Sequence, residues 1–372
     1  MTQNERMKKT LTSQSTTVFL AGIQPDASYV EKIKTIQKAA EEATDFSWLK
    51  QDDSVLIKPV VNHGNTYPAT TDPIAIIALI RLLKEKGAGR IVVGDLAGIV
   101  DVRFYPDHLE GSTRRIMENI GIAQATLDAG GELLGFEEAG WEAFYPERPI
   151  RGTNWKEPLM MPSILKEIDH IILLPRCARH MMAASSLGMK AAVGYWRTDT
   201  RTELHRDAKT FYEKIAEANT VPTLVKKQRL ILTVADKVLT TFGPNEGYIF
   251  RPETGLIISS DSIVAHDMIS LAWLLENRKF TPEDELKNHY DTSKTFANKS
   301  NKRVVFILSR SWKTVIWSQR LNKEDLETIW DDHVLRWAFN IFDGVPNVIL
   351  EPTNNLIPEE LQKTLQNAIS TS

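Results

Sequence analysis

Four short, largely apolar runs, each followed within two residues by a charged residue or a proline, constrain the fold of this chain most strongly. They occupy residues 55–57, 91–93, 171–174 and 230–234. Runs of this length are typical of strands that a sheet buries on both faces. Segments with helical periodicity, such as residues 74–86, separate the strands. This alternation predicts an α/β fold in which mostly parallel, doubly wound sheets carry helices on both faces.

The length of the chain predicts more than one lobe. Its 372 residues exceed the roughly 250 to 300 at which single cores stop growing, so we expect two lobes around a cleft. The polar start of the chain, residues 1–17, is predicted to be a disordered tail. Residues 18–278 then form the α/β body, and residues 279–372 form a C-terminal α/β extension. Within the body, residues 18–136 and 165–275 are the expected sub-lobes.

The composition limits the partners and the compartment. Lys and Arg number 45 against 48 Asp and Glu, a formal net charge of −3, so no overall field attracts nucleic acid or anionic membranes. No apolar run approaches the roughly 20 residues that cross a bilayer, and residues 1–17 lack the apolar centre of a signal peptide. We therefore predict a cytoplasmic protein that binds neither nucleic acid nor membranes. The sequence leaves its oligomeric state open.

A single cysteine, Cys177, restricts the cofactors. One thiol excludes an internal disulfide and a cysteine-ligated iron–sulfur cluster within the chain. Its neighbours Arg176 and Arg179 favour the reactive thiolate. A free cysteine is more often a small buried hydrophobe, however, and we predict no nucleophilic role.

The segment after the apolar run 171–174 is rich in positive charge. Within fifteen residues it supplies Arg176, Arg179, His180 and Lys190, separated by small residues. Ligands of open α/β sheets bind outside the carboxyl ends of the strands. The segment therefore predicts a site for a small anionic molecule.

Other polar residues follow predicted strands and are candidates for the same site. Lys58 can hold a phosphate or carboxylate as a point charge, or simply leave the sheet. Asp95 can bind a ribose hydroxyl, Mg²⁺ or a basic partner, or cap the following loop. Asp236 ends another strand, and the turn that contains Asn245 offers backbone amides to a ligand. Together with Arg179, these residues form the predicted cofactor-binding set.

Three residues carry the predicted chemistry. His180 and His205 lie in polar loops beside the basic segment and can transfer protons or bind a metal. Lys190 can hold negative charge, although its surroundings lack the spacing of a phosphate-binding P-loop. We expect His180 and Lys190 to lie outside the packed core, so that replacing either by alanine leaves stability nearly unchanged. The sequence does not identify a metal.

Two aspartates lie in the helix predicted over residues 261–276. Asp261 is predicted to cap the helix, because a carboxylate at that position can accept hydrogen bonds from the first turn. Asp267 lies on another face of the same helix and is kept as a site candidate.

The order of these motifs resembles the domain of unknown function 362 family. Its members place Lys-x-His after a strand and Gly-x-Lys-Asn further on. Here the first Lys reads as Cys177 or Arg179, and the Asn reads as Ala191. The likeness spans roughly residues 50–275 and includes VLIKP at 55–59, TTDP at 70–73, IVVGD at 91–95, GPNEG at 243–247 and SSD at 259–261.

A more distant resemblance is to the nickel-pincer lactate racemases. In that family a His and a Lys at the spacing of His180 and Lys190 flank a bound nucleotide-derived metal cofactor. This resemblance implies a divalent metal or a nucleotide-derived cofactor beside these two residues.

The residues and the resemblance together predict an enzyme of open reaction class that acts on a small anionic substrate. In this hypothesis Lys58, Arg179 and Lys190 hold negative charge, and His180 is a general acid or base or a metal ligand. The alternative is a non-catalytic protein that binds or senses a small molecule in the same basic pocket. A co-purifying metal or nucleotide would favour the enzyme.

Overall fold

The computed structural model describes residues 11–180, 182–241, 247–288 and 326–370. The strands in these ranges are β1 (Leu11–Ile23), β2 (Ser54–Pro59), β3 (Arg90–Asp95), β4 (Arg103–Tyr105), β5 (His108–Glu110), β6 (Glu132–Gly135), β7 (Phe144–Glu147), β8 (Leu159–Pro162), β9 (His170–Leu174), β10 (Ala178–His180), β11 (Ala184–Ser186), β12 (Gln228–Ala235), β13 (Val238–Leu239), β14 (Ile249–Phe250), β15 (Gly255–Ser260) and β16 (Val345–Pro352). The α-helices are α1 (Tyr29–Ala43), α2 (Pro73–Glu85), α3 (Thr113–Asn119), α4 (Ile122–Asp128), α5 (Ile164–Glu167), α6 (Gly188–Ala191), α7 (Thr198–Arg206), α8 (Phe211–Glu217), α9 (Pro222–Lys227), α10 (Ile263–Arg278), α11 (Glu283–Asn288), α12 (His333–Ile341) and α13 (Glu359–Ile369).

Eight strands form one large sheet in the order β16-β1-β15-β12-β9-β2-β3-β6. Strand β15 is antiparallel to both of its neighbours, and the other neighbouring pairs are parallel. The predicted α/β class with a mostly parallel sheet is therefore confirmed. Strands from both expected sub-lobes and β16 from the expected C-terminal extension lie in this sheet. The domain boundaries themselves stay predictions.

The sheet is covered on both faces. In β2, Leu56 belongs to one hydrophobic cluster, whereas Val55 and Ile57 belong to the other. Strands β3 and β9 alternate in the same way, as expected where successive side chains point to opposite faces. Helix α10 contributes side chains to the first cluster and α2 to the second. Burial on both faces explains why the strand sequences are continuous apolar runs.

The direction of winding reverses between β2 and β9. From β2 the chain adds β3 and β6 on one side, whereas from β9 it adds β12 and β15 on the other. In open α/β sheets a crevice lies outside the carboxyl ends of the strands at such a switch point. Lys58 is the last residue but one of β2, and the basic segment begins directly after β9.

Two predicted segments differ from the structure. Strand β1 begins at Leu11, so residues 11–17, predicted as part of a tail, pair with β16. Residues 198–206, predicted as a polar loop, form α7. Their helical pattern was missed because the inward side of α7 carries polar as well as apolar residues. The predicted turn containing Asn245 and part of the predicted C-terminal extension lie outside the described residues.

Within the described ranges, none of the helices has the length and apolarity that crossing a bilayer requires.

Ser262 caps α10, and the assignment of Asp261 as the cap was wrong. The Ser262 Oγ atom accepts a hydrogen bond from the Ala265 amide at 3.3 Å. Asp261 is exposed at the end of β15 and precedes the cap by one residue. Because a cap must sit directly before the first helical residue, a shift of one position decides which side chain reaches the amides.

Replacing Ser262 by alanine should therefore lower the free energy of unfolding by about 0.5 to 2 kcal/mol, because an amide of the first turn loses its acceptor. Asp261→Ala is the matched control and should change it by less than about 0.5 kcal/mol. Urea denaturation of both variants measures the difference. A larger loss in Asp261→Ala would restore the original assignment.

Candidate functional site

A pocket lies at the carboxyl ends of β2, β3 and β9. The space between its lining residues is about 380 Å³, a figure that includes open solvent. Its lining combines basic side chains with small residues: Lys58, Val60, Asn62, Asp95, Leu96, Gly98, Arg176, His180, Ser186, Lys190, Ala191, Val193, Gly194 and Arg201. The pocket brings together four of the predicted site residues, Lys58, Asp95, His180 and Lys190.

A buried ion pair forms one wall of the pocket. The Lys58 Nζ atom lies 2.9 Å from Asp95 Oδ1 and also donates to the carbonyl oxygens of Pro59 and Ala191, each at 2.9 Å. The Asp95 carboxylate accepts the amides of Val61 and Leu96 at 2.6 and 2.9 Å. Burial lowers the pKa of Lys58, and the Asp95 charge opposes that shift. Both groups are therefore engaged by the protein itself.

Gly194 is required for this ion pair. A Cβ atom at Gly194 would overlap both Asp95 Oδ1 and Lys58 Nζ. The Gly194 carbonyl also accepts the Leu96 amide at 3.1 Å. The absence of a side chain lets the backbone after α6 lie directly against the ion pair.

Arg201 on α7 brings a charge that the sequence prediction missed. Its Nη2 donates to Leu96 O at 2.6 Å and to Gly194 O at 3.4 Å, and its Nη1 donates to Ala97 O. Its Nε has no hydrogen-bond partner among the described residues. Burial lowers the pKa of Arg201 to about 10, while Asp95 and Glu137 oppose the shift, so the side chain is positive at neutral pH.

The helical spacing of Arg201 was the available signal. Arg201 precedes the predicted site residue His205 by four residues, which places both on one face of a helix. That argument required residues 198–206 to be recognised as helical.

Arg176 adds a second buried guanidinium. Its Nε donates to Ser186 Oγ at 3.1 Å, and its Nη1 donates to Ala69 O. Burial lowers the pKa of Arg176 to about 9, against the opposing charge of Asp95. It therefore contributes a positive charge to the pocket at neutral pH.

Lys190 projects from the short helix α6, which Asp267 holds in place. The Asp267 carboxylate accepts the amides of Gly188 and Met189, each at 2.8 Å. A Cβ atom at Gly188 would collide with this carboxylate. Asp267, predicted as a site candidate, does not line the pocket, and its contacts instead fix the position of Lys190.

Among the described residues, the Lys190 ammonium has no partner. It is partly buried, and it makes no hydrogen bond or ion pair with any residue that the structure describes. Burial and the charges of Arg176, Arg201 and Lys58 lower its pKa to about 7. About half of the Lys190 side chains are then neutral amines at neutral pH.

His180 is packed in the fold, so the expectation that it lies outside the core was wrong. Its Nδ1 accepts the amides of Met182 and Ala183, each at 3.1 Å. The proton of the neutral ring therefore sits on Nε2. Burial, followed by the charge of Lys190, lowers the pKa of His180 well below its usual value. A ring fixed in this tautomer donates a hydrogen bond and does not act as a general base.

Three other predicted residues lie outside the pocket lining. His205 is buried and donates from Nδ1 to Arg201 O at 2.7 Å, and burial lowers its pKa to about 3. Arg179 is buried one position before His180 on β10, where alternation directs it to the opposite face. Asp236 forms an ion pair with Lys32 at 2.5 Å and accepts a hydrogen bond from Tyr67 Oη.

The donor set does not fit a bound metal. In the described part of the chain, no three His, Cys, Asp or Glu side chains converge as metal ligands. Asp95 already forms an ion pair with Lys58, and the positive charges of Arg176 and Arg201 repel a further cation. A phosphate or carboxylate group, by contrast, matches the charge of the lining.

More than half of the chain matches a known family. Residues 55–272 match the family described as "Domain of unknown function (DUF362)". The chain belongs to the DUF362 family. This match confirms the resemblance to this family that the motifs predicted, and it includes the strands that carry Lys58 and Asp95 and the helix that carries Lys190.

Structural comparison adds a solved protein to which this DUF362 chain is similar. It is a structural genomics target from Thermotoga maritima with 15% sequence identity and a TM-score of 0.40. The similarity covers 63% of this chain and 56% of the Thermotoga protein, so it spans little more than half of that protein's length. No curated protein is similar enough in sequence to count as a match.

Replacing His180 of this DUF362 chain tests the assigned tautomer. His180→Ala should lower the free energy of unfolding by about 1 to 3 kcal/mol, because two buried amides lose their acceptor. His180→Asn should restore most of that loss, since its Oδ1 can take the place of Nδ1. His180→Gln, whose polar end reaches toward Nε2, should not restore it. Denaturant unfolding compares the three variants, and an Ala variant as stable as the unchanged protein would contradict the assignment.

Proposed function

We propose that the pocket binds a small molecule through a carboxylate or phosphate group, and that the protein is a cytoplasmic enzyme acting on that molecule. The observation that carries this proposal is an excess of positive charge at the switch point of the sheet. Switch-point crevices are where open α/β sheets bind their ligands.

The charge balance of the pocket supports an anionic ligand. Asp95 neutralises Lys58 at 2.9 Å. Arg201 is bonded to carbonyl oxygens, which carry only partial charge, and Lys190 has no partner among the described residues. Buried cations are costly unless an anion or several hydrogen bonds compensate them. A ligand carboxylate or phosphate supplies that compensation.

The pocket also offers directed hydrogen-bond donors. The Arg201 Nε–H has no partner in the described structure, and the proton of neutral His180 is on Nε2. Both residues line the same space as Lys190. Charged and neutral donors around one small volume suit a group with several acceptor oxygens.

The reactive state of Lys190 favours an enzyme. A lysine with a pKa of about 7 has a neutral amine available for chemistry at neutral pH. Strongly shifted groups gathered in one cleft are typical of active sites. The reaction would then depend on Lys190, because His180 is fixed in one tautomer and His205 is buried outside the pocket lining.

A binding or sensing protein is the second candidate. It is favoured by the fixed tautomer of His180 and by the low pKa of His205, so that neither of these two rings changes its charge near neutral pH. A nucleotide-derived cofactor bound through its phosphate is compatible with both candidates. The more distant resemblance to lactate racemases is not confirmed, and the described lining does not fit the metal that it implied.

Inorganic phosphate provides the test of anion binding. Isothermal titration should show binding at low salt that weakens as salt rises, because ions screen the charges. Lys190→Met should weaken binding roughly tenfold to a hundredfold, as expected for the loss of a charged hydrogen bond worth about 1.5 to 3 kcal/mol.

Arg115→Met is the matched control, since Arg115 is an exposed cation on α3 and is not among the lining residues. It should bind phosphate as the unchanged protein does. Equal binding by the Lys190 and Arg115 variants, or no binding at any salt concentration, would refute the proposed function.

A further inference from the structure

Lys190 differs from other lysines inside this fold. Lys32 contacts Asp72 and Asp236, Lys58 contacts Asp95, and Lys214 contacts Glu203. Each of these ammonium groups contacts a carboxylate, which stabilises the charged form. Lys190 has none among the described residues and instead lies near other cations. Its surroundings therefore favour the neutral amine.

A neutral amine with a free lone pair is a nucleophile. Lysines that form Schiff bases with carbonyl substrates are activated in this way, by desolvation or by neighbouring positive charge. Both causes act on Lys190. The amine also lies on the pocket lining, where a bound molecule can reach it.

The other lining groups define which carbonyl compound fits. Arg201 offers a carboxylate a positive charge and an Nε–H that has no hydrogen-bond partner in the described part of the chain. His180, protonated on Nε2, offers a neutral donor to a carbonyl oxygen that gains negative charge during attack. An amine, a neutral donor and a guanidinium around one cavity match a molecule with a carbonyl carbon next to a carboxylate.

We propose that Lys190 forms a Schiff base with a 2-oxo acid in this pocket. The Lys190 Nζ lone pair forms a bond to the carbonyl carbon, and the carbonyl π electrons move to oxygen, which takes up a proton. Nitrogen then loses its proton, and the carbinolamine expels water to leave a C=N bond. The net change is amine plus ketone giving imine plus water. The inference rests on the proposed anion-binding function and names the substrate class of that site.

Several charged or titratable groups surround the reacting amine. They come from the strand ends, from the segment after β9, from α7 and from α10: Lys58, Asp95, Arg176, His180, Arg201, His205 and Asp267. The cations favour loss of the Lys190 proton. The two carboxylates are engaged elsewhere, because Asp95 forms an ion pair with Lys58 and Asp267 accepts hydrogen bonds from two backbone amides.

Reductive trapping tests the proposal. The full-length protein is incubated with pyruvate and sodium cyanoborohydride at pH 7, and the adduct is located by peptide mass spectrometry. We expect one reduced pyruvate adduct, on Lys190. Its neutral fraction at this pH is roughly a thousandfold larger than that of an ordinary lysine with a pKa of about 10.4, so trapping should be more than tenfold faster than at exposed lysines. The rate should rise as pH increases from 6 and level off above about 8.

Two variants and one second carbonyl compound serve as controls. Lys190→Met and Lys190→Arg should lose the adduct while circular dichroism shows a folded protein. Lys86→Met, which removes an exposed lysine paired with Glu41, should retain it. Acetone, which lacks a carboxylate, should be trapped at least tenfold more slowly than pyruvate at equal concentration.

Adducts spread evenly over exposed lysines, or no adduct on Lys190 in a protein that still binds phosphate, would overturn this inference and leave the proposed function standing. Equal trapping of acetone and pyruvate would also overturn it, because the carboxylate would then contribute nothing. A protein that binds no phosphate fails the proposed function itself. Retention of the adduct after Lys190→Met would assign it to another lysine.

Discussion

The ion pair between Lys58 and Asp95 is the interaction on which the rest of the site depends. It joins the ends of two neighbouring strands, β2 and β3. Lys58 also donates a hydrogen bond to the Ala191 carbonyl, and Gly194, which has no side chain, lets the backbone after α6 lie against the ion pair. Removing one partner of a buried pair leaves an uncompensated charge and is strongly destabilising. Asp95 pairs with Lys58, and it is the one carboxylate in the described pocket lining. Its single negative charge faces four cations, Lys58, Arg176, Lys190 and Arg201, so the lining keeps an excess of positive charge.

The remaining polar contacts divide into those that hold the site and those that face a ligand. Asp267 fixes α6, and the amides of Met182 and Ala183 fix the ring of His180. These contacts fix the positions of Lys190 and His180 but do not involve the Lys190 Nζ atom or the His180 Nε2–H, which can therefore contact a ligand. A site supported in this way is pre-organised, since little reordering is needed when a ligand binds.

The sequence predicted those features that depend on local pattern. Continuous apolar runs predicted the buried strands. The polar residues that follow these runs predicted that Lys58, Asp95 and the basic segment belong to the site. Asp236 follows a strand by the same rule, yet Lys32 from α1 neutralises it, a contact between distant segments that no local pattern encodes. Arg201 was missed because α7 faces a polar pocket, and hydrophobic periodicity does not mark such a helix. The tautomer of His180 depends on two backbone amides and so needed the three-dimensional structure.

The central claim is that the crevice between β2 and β9 binds an anion through its uncompensated positive charge. Crystals of the protein soaked in selenate, whose selenium gives an anomalous signal, test this most directly. The account predicts an anomalous peak within hydrogen-bond distance of Arg201 Nε and Lys190 Nζ, and loss of that peak in Lys190→Met crystals. Peaks confined to exposed lysines, with the pocket empty at selenate concentrations that the protein binds in solution, would contradict it.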